Sequence, residues 1–406
     1  MGLSKLSGVH RRVLMRVNYI VTIGLLMLGL RTAAQTDLNK TDPQRASAAI
    51  ILKQPTHDER IKNRQHERVP SLVTSADGKT IFVVWYSGGK EEGPGNYATL
   101  AVSNDGGKSW KNDQLVIYPK HPSTRVYDAT LWRDKGGQTW LFYATALNNM
   151  YWDLRGGVHA IPIAWNGKKV VHGKSRLLSY GIMMNKPVYV PQKDFALFPV
   201  SVWKTSPDAP QQPGYVPDGT FIHRFDYEGN KKKELTTLNP YSSVKMADSA
   251  RTYDEHMVVQ TSDSGDMLCF VRGNKRTIYH SKSTDYGATW SQLEPFRLTG
   301  NTTSSRFYLG RLQSGNLILV MNDNRNRLDM TAFISKDGGK SWPHKLLLDA
   351  RDWVSYPDVD QTPDGTIHVT YDRERTGAKD ILYCNFKEED IIQGNPKNIF
   401  RIRVNP

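Results

Sequence analysis

The chain has 406 residues, of which 38% are hydrophobic and 23% charged, and its formal net charge is +14 at pH 7. Its two cysteines are too few for a disulfide scaffold in a chain of this length. The positive charge favours an anionic substrate or partner, but no segment resembles a nucleic-acid-binding module, so we expect no nucleic-acid partner.

The first 34 residues have the pattern of an export signal. Arg11, Arg12 and Arg16 precede an apolar run of about 12 residues, and small residues follow at positions 32–34. The run is shorter than the roughly 20 residues of a membrane span, and no lipoprotein cysteine follows it. We expect a periplasmic or secreted protein with no membrane insertion once residues 1–34 are removed. An uncleaved anchor is the alternative.

After the leader, short strand-like runs alternate with turns rich in Gly, Pro, Asn and Asp, which predicts an all-β protein. Residues 35–60 are polar, and we expect them to form an N-terminal arm or to supply a closing strand. Residues 61–406 show no linker that would divide them, so we expect one domain there. A short helix is predicted near Glu388.

An eight-residue pattern, Ser-x-Asp-x-Gly-x-x-Trp, occurs three times, beginning at Ser103, Ser283 and Ser335. Such recurrence is typical of repeat architectures. Each copy predicts a hairpin turn in which the Asp accepts backbone N–H bonds, the Gly has a positive φ and the Trp packs beneath the turn.

A second, shorter turn pattern with glycine occurs five times between strand-like runs, at residues 76–78, 135–137, 264–265, 314–315 and 363–365. We interpret it as the turn between the two inner strands of a propeller blade. The two patterns together predict a β-propeller of five or six blades, with six preferred.

Cys269 and Cys384 lie in apolar strand-like runs and are predicted to be buried free thiols. No spacing of His and Cys suggests a zinc site, and no acidic loop has a defined calcium-ligand spacing. We therefore expect neither a metal nor a cofactor.

The eight-residue pattern resembles the Asp box of sialidases and other bacterial neuraminidase-repeat proteins, and the chain is similar over nearly its whole mature length to a bacterial sialidase-like group. The resemblance implies a six-bladed sialidase-like propeller and a retaining exo-glycosidase. Its substrate would be an acidic oligosaccharide or glycan that ends in sialic acid or a related carboxylated sugar. Sialidases hold the carboxylate with three arginines, because guanidinium groups form bidentate bonds, and use a tyrosine as nucleophile.

Three positions match the carboxylate-binding arginines of that family. Arg68 lies in Arg68-Val-Pro70, which resembles the Arg-Ile-Pro motif. Arg272 ends a predicted hairpin that an acidic residue opens, so both lie at the same rim. Arg327 precedes the strand that leads to the third Asp box, and Arg325 and Arg306 are its alternatives.

The resemblance also implies the reacting groups. Tyr356 would be the nucleophile, although Pro357 stands where the family has a small residue, and Glu255 would polarise it. The family places an acidic Asp in the loop before the first Asp box. This loop has no Asp, and Glu91 or Glu92 would replace it. This difference makes sialic acid itself uncertain as the substrate.

Further segments lie outside the usual sialidase pattern and predict a pocket for another sugar, because aromatic faces stack on sugars and arginines bind acids. The substrate-binding candidates in them are Arg125, Asp128, Asn185 and Lys186, beside an aromatic stretch with Trp152, Asp153, Arg155 and His159. His256, which follows Glu255, is a further substrate-binding candidate. Two alternatives stay open. One is a polysaccharide lyase with His256, His159 or Tyr356 as base and Arg272 stabilising the enolate; the other is a non-catalytic sugar-binding propeller.

Overall fold

The computed structural model describes residues 49–53, 55–122, 124–147, 157–203, 218–227, 235–274, 276–298 and 303–406. These residues form six antiparallel sheets in a propeller, which confirms the predicted all-β fold with six blades. The expected signal segment, residues 35–48 of the expected arm, and Trp152, Asp153 and Arg155 lie outside the described residues.

Each of the first three blades contains at least one short or interrupted strand. The first blade contains β1 (Ala49–Ile51), β2 (His66–Thr74), β3 (Ile81–Gly88), β4 (Tyr97–Ser103) and β5 (Lys111–Pro119). The second contains β6 (Thr124–Arg133), β7 (Thr139–Leu147), β8 (Gly157–Trp165), β9 (Val170–His172) and β10 (Arg176–Ser179). The third contains β11 (Ile182–Met183), β12 (Val188–Val190), β13 (Phe195–Val202), β14 (Gly219–Asp226) and β15 (Asn239–Val244).

The last three blades have four strands each. The fourth contains β16 (His256–Gln260), β17 (Met267–Arg272), β18 (Ile278–Ser283) and β19 (Glu294–Phe296). The fifth contains β20 (Tyr308–Arg311), β21 (Leu317–Asn322), β22 (Met330–Ser335) and β23 (His344–Asp349). The sixth contains β24 (Val354–Gln361), β25 (Thr366–Arg373), β26 (Asp380–Lys387) and β27 (Phe400–Arg403). Helix α1 (Glu388–Gln393) follows β26 at the predicted position. Five 3-10 turns complete the regular structure of the described residues, at Pro55–His57, Glu59–Ile61, Pro191–Lys193, Asp248–Ala250 and Pro396–Asn398.

The blades bury apolar residues on both faces, so the core is distributed between neighbouring blades. One apolar cluster joins the first two blades, and others join each following pair. A further cluster joins the sixth blade to the first, through Ile381 and Tyr383 on one side and Leu72 and Trp85 on the other. Cys269 and Cys384 are buried and free in these layers, as predicted.

Strands are counted outward from the inner strand of each blade, which is β2 in the first blade. In this order the Asp boxes connect the third and fourth strands of the first, fourth and fifth blades. In the first copy, Asp105 Oδ1 accepts bonds from the backbone N–H groups of Lys108 and Ser109 at 3.0 and 2.9 Å. Gly107 has a φ of 91° and donates to Ser103 Oγ at 2.8 Å. Trp110 packs edge-on against Tyr383 of the neighbouring blade, so the turn has the predicted geometry.

The glycine turns connect the first and second strands of every blade except the third, as predicted. In the third blade, residues 191–193 form a 3-10 turn, and Asp194 has the positive φ instead of a glycine. Both turn types lie on one face of the propeller, because strands alternate in direction. The connections between second and third strands, and the starts of the inner strands, therefore lie on the opposite face.

Among the described residues, no strand is shared between the first and last blades; β1 instead pairs with β5 at the outer edge of the first blade. The seam between these blades is closed by side chains of β24. Asp358 Oδ2 accepts bonds from Ser71 Oγ at 2.5 Å and from the N–H of Leu72 at 2.9 Å. Asp360 Oδ2 accepts two bonds of 2.8 Å from Thr74. These bonds fix the register of β24 against β2.

Candidate active site

Three inner strands carry a β-bulge at the face opposite the Asp boxes. The bulges lie in β2, β6 and β24, and each contains one residue with a positive φ: Val69 (57°), Asp128 (45°) and Tyr356 (56°). Bulges redirect side chains, and positive φ values of this kind cluster at functional sites. The face that carries the three bulges is therefore the candidate for the active site.

Tyr356 lies at the centre of a group of guanidinium groups and is 7% exposed. Arg272 Nη1 donates to its hydroxyl oxygen at 2.8 Å. The guanidinium carbons of Arg306, Arg327 and Arg375 lie 4.8, 5.0 and 4.2 Å from the centre of its ring. The fourth, fifth and sixth blades therefore bring four cations to one phenol.

Three of these arginines are held by acceptors of the protein itself. Arg272 donates to Glu255, and Arg375 donates to Asp372 at 3.0 Å and to Ser355 at 3.1 Å. The third is Arg306, which contacts two carboxylates through one nitrogen: its Nη2 lies 3.0 Å from Asp128 and 3.4 Å from Glu255.

Arg327 differs from its neighbours. Among the described residues, none accepts a hydrogen bond from it. Burial lowers the pKa of Arg327, and the nearby cations Arg375 and Arg272 lower it further, although Tyr356 opposes this shift. A bound anion would therefore stabilise the charged form of Arg327 and offset the repulsion from its neighbours.

Glu255 is joined to Tyr356 through one nitrogen. Arg272 Nη1 lies 2.7 Å from Glu255 Oε2 and 2.8 Å from the Tyr356 hydroxyl. Burial opposes ionisation of Glu255, but the charges of Arg272 and Arg306 outweigh it and lower its pKa to about 2. Glu255 is therefore a carboxylate close to the phenol, as a proton acceptor must be.

Arg68 is linked to the same group through Glu92. Arg68 Nη1 donates to Glu92 Oε1 at 2.8 Å, and the Tyr86 hydroxyl donates to the same oxygen at 3.0 Å. Burial raises the pKa of Glu92, but attraction by Arg68, Arg125 and Arg375 is stronger and holds it below the usual value.

Asp128 is the buried carboxyl group with the opposite tendency. Burial raises its pKa; Arg306 opposes this, and the negative charges of Glu92 and Glu255 add to it. Because Arg306 divides its charge between Asp128 and Glu255, it cannot fully compensate the burial of Asp128.

The structure thus brings together most of the predicted site residues in one chain of contacts: Arg68, Glu92, Arg125, Asp128, Glu255, Arg272, Arg327 and Tyr356. Glu91 and Arg325 are exposed instead. Of the two predicted acids, only Glu92 is directed toward the arginines.

Three predicted substrate-binding residues have structural roles, which corrects the sequence interpretation. Lys186 donates to the carbonyl oxygens of Leu72 and Val359 at 2.6 and 2.7 Å and lies 3.1 Å from Asp358, so its three N–H groups are used within the protein. It ties the third blade to the seam between the first and the last.

The other two corrected residues are Asn185 and His256. Asn185 donates to the carbonyl of His256 at 2.7 Å. The ring nitrogens of His256 lie 2.9 and 2.8 Å from the carbonyl oxygens of Asp254 and Phe221, so neither is free to accept a proton from a substrate. His159, the other histidine base of the lyase alternative, is buried and stacks on Tyr143 at 5.0 Å.

Arg375 was missed by sequence reasoning, and Arg306 was considered only as an alternative to Arg327. Arg375 lies in a charged turn, Arg373-Glu-Arg375, which in sequence resembles a solvated loop. The useful signal was its position, because it begins the connection between the second and third strands of its blade, as Glu92 and Arg327 occupy such connections in theirs.

Within the described part of the chain, no cluster of three His, Cys, Asp or Glu residues has the arrangement to hold a metal ion. The same part contains no helix that is long and apolar enough to cross a membrane.

The family model described as "BNR repeat-like domain" matches residues 79–369. A search of curated proteins finds no match. The fold is similar to that of a point mutant of the NanB sialidase from Streptococcus pneumoniae, with 12% identity, a TM-score of 0.59 and coverage of 85% of this chain and 71% of that one.

Two further solved structures are similar. The Hadza microbial sialidase Hz136 has 16% identity and a TM-score of 0.59, covering 80% of this chain and 66% of its own. A leech intramolecular trans-sialidase complexed with 2,7-anhydro-Neu5Ac has 13% identity and a TM-score of 0.56, covering 81% and 69%. At these identities the likeness establishes the propeller fold alone.

Proposed function

The chain belongs to the BNR repeat-like domain family and has the six-bladed fold of sialidases, and on that basis we propose that it is a retaining exo-glycosidase. Its substrate is a glycan that ends in a carboxylated sugar, either sialic acid or a related acid. We also propose that the protein is exported, on the basis of its N-terminal segment.

One observation carries the proposal: Arg327 lies against Tyr356 with no acceptor among the described residues and with two other cations beside it. A carboxylate bound there would gain charge-assisted hydrogen bonds and would relieve the repulsion between the arginines. The anomeric carbon of an acidic sugar held in this way would lie close to the phenol, where nucleophilic attack becomes possible.

The proposed chemistry uses two residues that both contact Arg272 Nη1. Tyr356 attacks the anomeric carbon and gives its proton to Glu255, which Arg272 holds beside it. A covalent glycosyl–tyrosine intermediate forms, and water then releases the sugar with its configuration retained. The six guanidinium groups near the site stabilise the negative charge of the bound acid throughout.

We assign the acid that protonates the leaving oxygen to Glu92. In the ligand-free protein, Arg68 keeps this group ionised. When the substrate carboxylate takes over Arg68, Glu92 loses an attractive charge and its pKa rises, so it can carry a proton when the substrate is present.

A comparison of leaving groups tests this assignment. Glu92→Gln should lose about 100-fold or more in kcat/KM on substrates with alkoxide leaving groups and much less on activated aryl glycosides, which need no protonation. Asp128→Asn is the matched variant at a second carboxyl group of the site, whose pKa burial raises. If Asp128→Asn loses more activity on alkoxide than on aryl leaving groups and Glu92→Gln does not, Asp128 is the acid.

The proposed activity itself is tested by incubating the purified protein with sialosides, uronides and acidic plant or algal glycans. Product mass and configuration are then determined. A hydrolase adds water and releases an acidic monosaccharide with retained configuration. An unsaturated product would indicate the lyase instead, and binding without turnover would indicate a sugar-binding propeller.

A further inference from the structure

The site contains more positive charge than its own carboxylates neutralise. Its guanidinium groups belong to Arg68, Arg125, Arg272, Arg306, Arg327 and Arg375, which we call the arginine cluster. The carboxyl groups in contact with it are Glu92, Asp128, Glu255 and Asp372. Six cations against four acids leave an excess of two, whereas one sugar carboxylate supplies only one negative charge.

The excess is localised on two members of the arginine cluster. Arg68, Arg272, Arg306 and Arg375 each donate to a carboxylate. Arg327 lacks an acceptor among the described residues, and it binds the first acidic group under the proposed function. Arg125 is the other arginine that lacks a hydrogen-bond acceptor among the described residues.

Arg125 is completely buried, and the described residues provide no hydrogen-bond acceptor for its Nε, Nη1 or Nη2. Its guanidinium carbon lies 3.8 Å from the centre of the Tyr127 ring. The nearest carboxylate oxygen, Glu92 Oε2, is 3.7 Å away, beyond hydrogen-bonding distance. A buried guanidinium has five donors to satisfy, so an orphaned one indicates a missing oxyanion.

Glu92 lies between Arg125 and the substrate face. It is bonded to Arg68 on one oxygen and faces Arg125 with the other. It belongs to a connection with glycines at positions 88, 89, 93 and 95, and 29% of its side chain is exposed. When the substrate carboxylate takes over Arg68, Glu92 is released from Arg68, and a second acidic group on the same sugar can then reach Arg125.

Resting on the proposed function, we propose that the substrate sugar carries a second acidic group, a sulfate ester or a second carboxylate, and that Arg125 binds it while Arg327 binds the first. Sulfate and carboxylate both accept paired bonds from one guanidinium group. The substrate class is then a doubly acidic sugar, such as a sulfated uronate, rather than a plain carboxylated one.

Calorimetric binding to the Tyr356→Phe protein, which cannot form the tyrosyl intermediate, tests this. The probes are methyl glucuronide, its 2-, 3- and 4-O-sulfates and its 2-O-carboxymethyl ether, with N-acetylneuraminic acid and its O-sulfates as a second series. We expect at least one doubly acidic probe to bind about 10-fold or more tightly than its parent, a gain of about 1.4 kcal/mol. A gain in affinity with the sulfates identifies the second acidic group as a sulfate ester, and a gain with the carboxymethyl ether identifies it as a carboxylate.

Adding Arg125→Gln should remove that gain, and Arg125→Lys should keep part of it because the charge remains. Arg133→Gln is the matched control: Arg133 lies on the same strand, but it bonds the carbonyl of Thr74 at the other end, so the gain should persist. Thermal unfolding verifies that each variant is folded. The inference is overturned if no probe gains affinity over its parent, or if the gain survives in both Arg125 variants.

The outcome is separable from that of the proposed function. If the wild-type protein hydrolyses no glycan but the Arg125-dependent gain is present, the glycosidase proposal fails and the second anion site stands. If singly acidic glycans are hydrolysed and no probe shows the gain, the glycosidase proposal stands and the second anion site fails.

Discussion

Under the proposed function, recognition of the first acidic group depends on Arg327. It stacks on Tyr356 between two other cations, and no described residue satisfies its donors. The neighbouring Arg325 is exposed, although sequence reasoning ranked both as candidates. Only burial distinguishes them, and two arginines separated by one residue point in different directions in a turn.

Arg327→Gln should therefore raise KM for an acidic glycoside about 10- to 100-fold, since a charge-assisted pair contributes about 1.5–3 kcal/mol. Arg325→Gln is the matched control and should change KM less than about 3-fold, because exposed charges contribute little. Steady-state kinetics on the substrate found in the glycan screen would measure both. Equal effects in the two variants would show that Arg327 has no special role.

At the scale of elements, the turns and the bulges have separate tasks. The Asp boxes and glycine turns lie on one face and fix the blades. The bulges of β2, β6 and β24 lie on the other and direct Asp128 and Tyr356 toward the arginines. The turns were predictable from sequence because Asp, Gly and Trp recur at fixed spacing. The bulges were not, since Val69, Asp128 and Tyr356 share no residue type.

The first Asp box allows a test of turn geometry. Gly107 has a φ of 91°, and a Cβ there would lie 2.3 Å from Cε1 of Tyr383. Gly137 has a similar φ of 82° with nothing within 4 Å. Gly137→Ala should cost about 1 kcal/mol from strain alone, whereas Gly107→Ala should cost about 3 kcal/mol or more because the clash is added. Urea denaturation compares them; similar losses would refute the close approach of the two blades.

At the scale of the whole molecule, the propeller closes at the seam between its first and last blades, where the described residues contain no shared strand. Asp358, Asp360 and Lys186 close it from the inner side. From the sequence, Lys186 was expected to bind substrate, because it is a basic residue in a segment outside the usual sialidase pattern. The sequence does not reveal that its N–H groups bond backbone carbonyls of two other blades. The blade count was predictable from local turns, but contacts between residues about 100 to 300 positions apart were not.

Glu67, at this seam, makes stability depend on pH. Burial raises its pKa to about 7, while Arg64 and a bond from Trp85 oppose the shift. The usual value is 4.5, so between pH 4.5 and 7 the folded protein binds more protons here than the unfolded chain does. The contribution of Glu67 to stability is therefore fully present below pH 4.5 and decreases as pH rises through 7, by up to about 3 kcal/mol.

Glu67→Gln removes this titration. Its free energy of unfolding, measured in urea from pH 4.5 to 8, should rise relative to that of the wild type as pH increases, and the difference should level off above pH 7. Glu59→Gln is the control, because Glu59 is exposed and should leave the profile unchanged. A constant difference between Glu67→Gln and wild type at every pH would contradict the raised pKa.

In the proposed reaction, Tyr356 attacks an acidic sugar held by the arginine cluster. The most direct measurement is peptide mass spectrometry after incubation with a fluorinated acidic glycosyl fluoride, which slows release of the sugar from the enzyme. We expect one sugar per protein on the peptide that contains Tyr356, and no labelling in Tyr356→Phe or Arg327→Gln at the same probe concentration. Turnover of the acidic glycan with the label on another residue, or with Tyr356→Phe fully active, would contradict it.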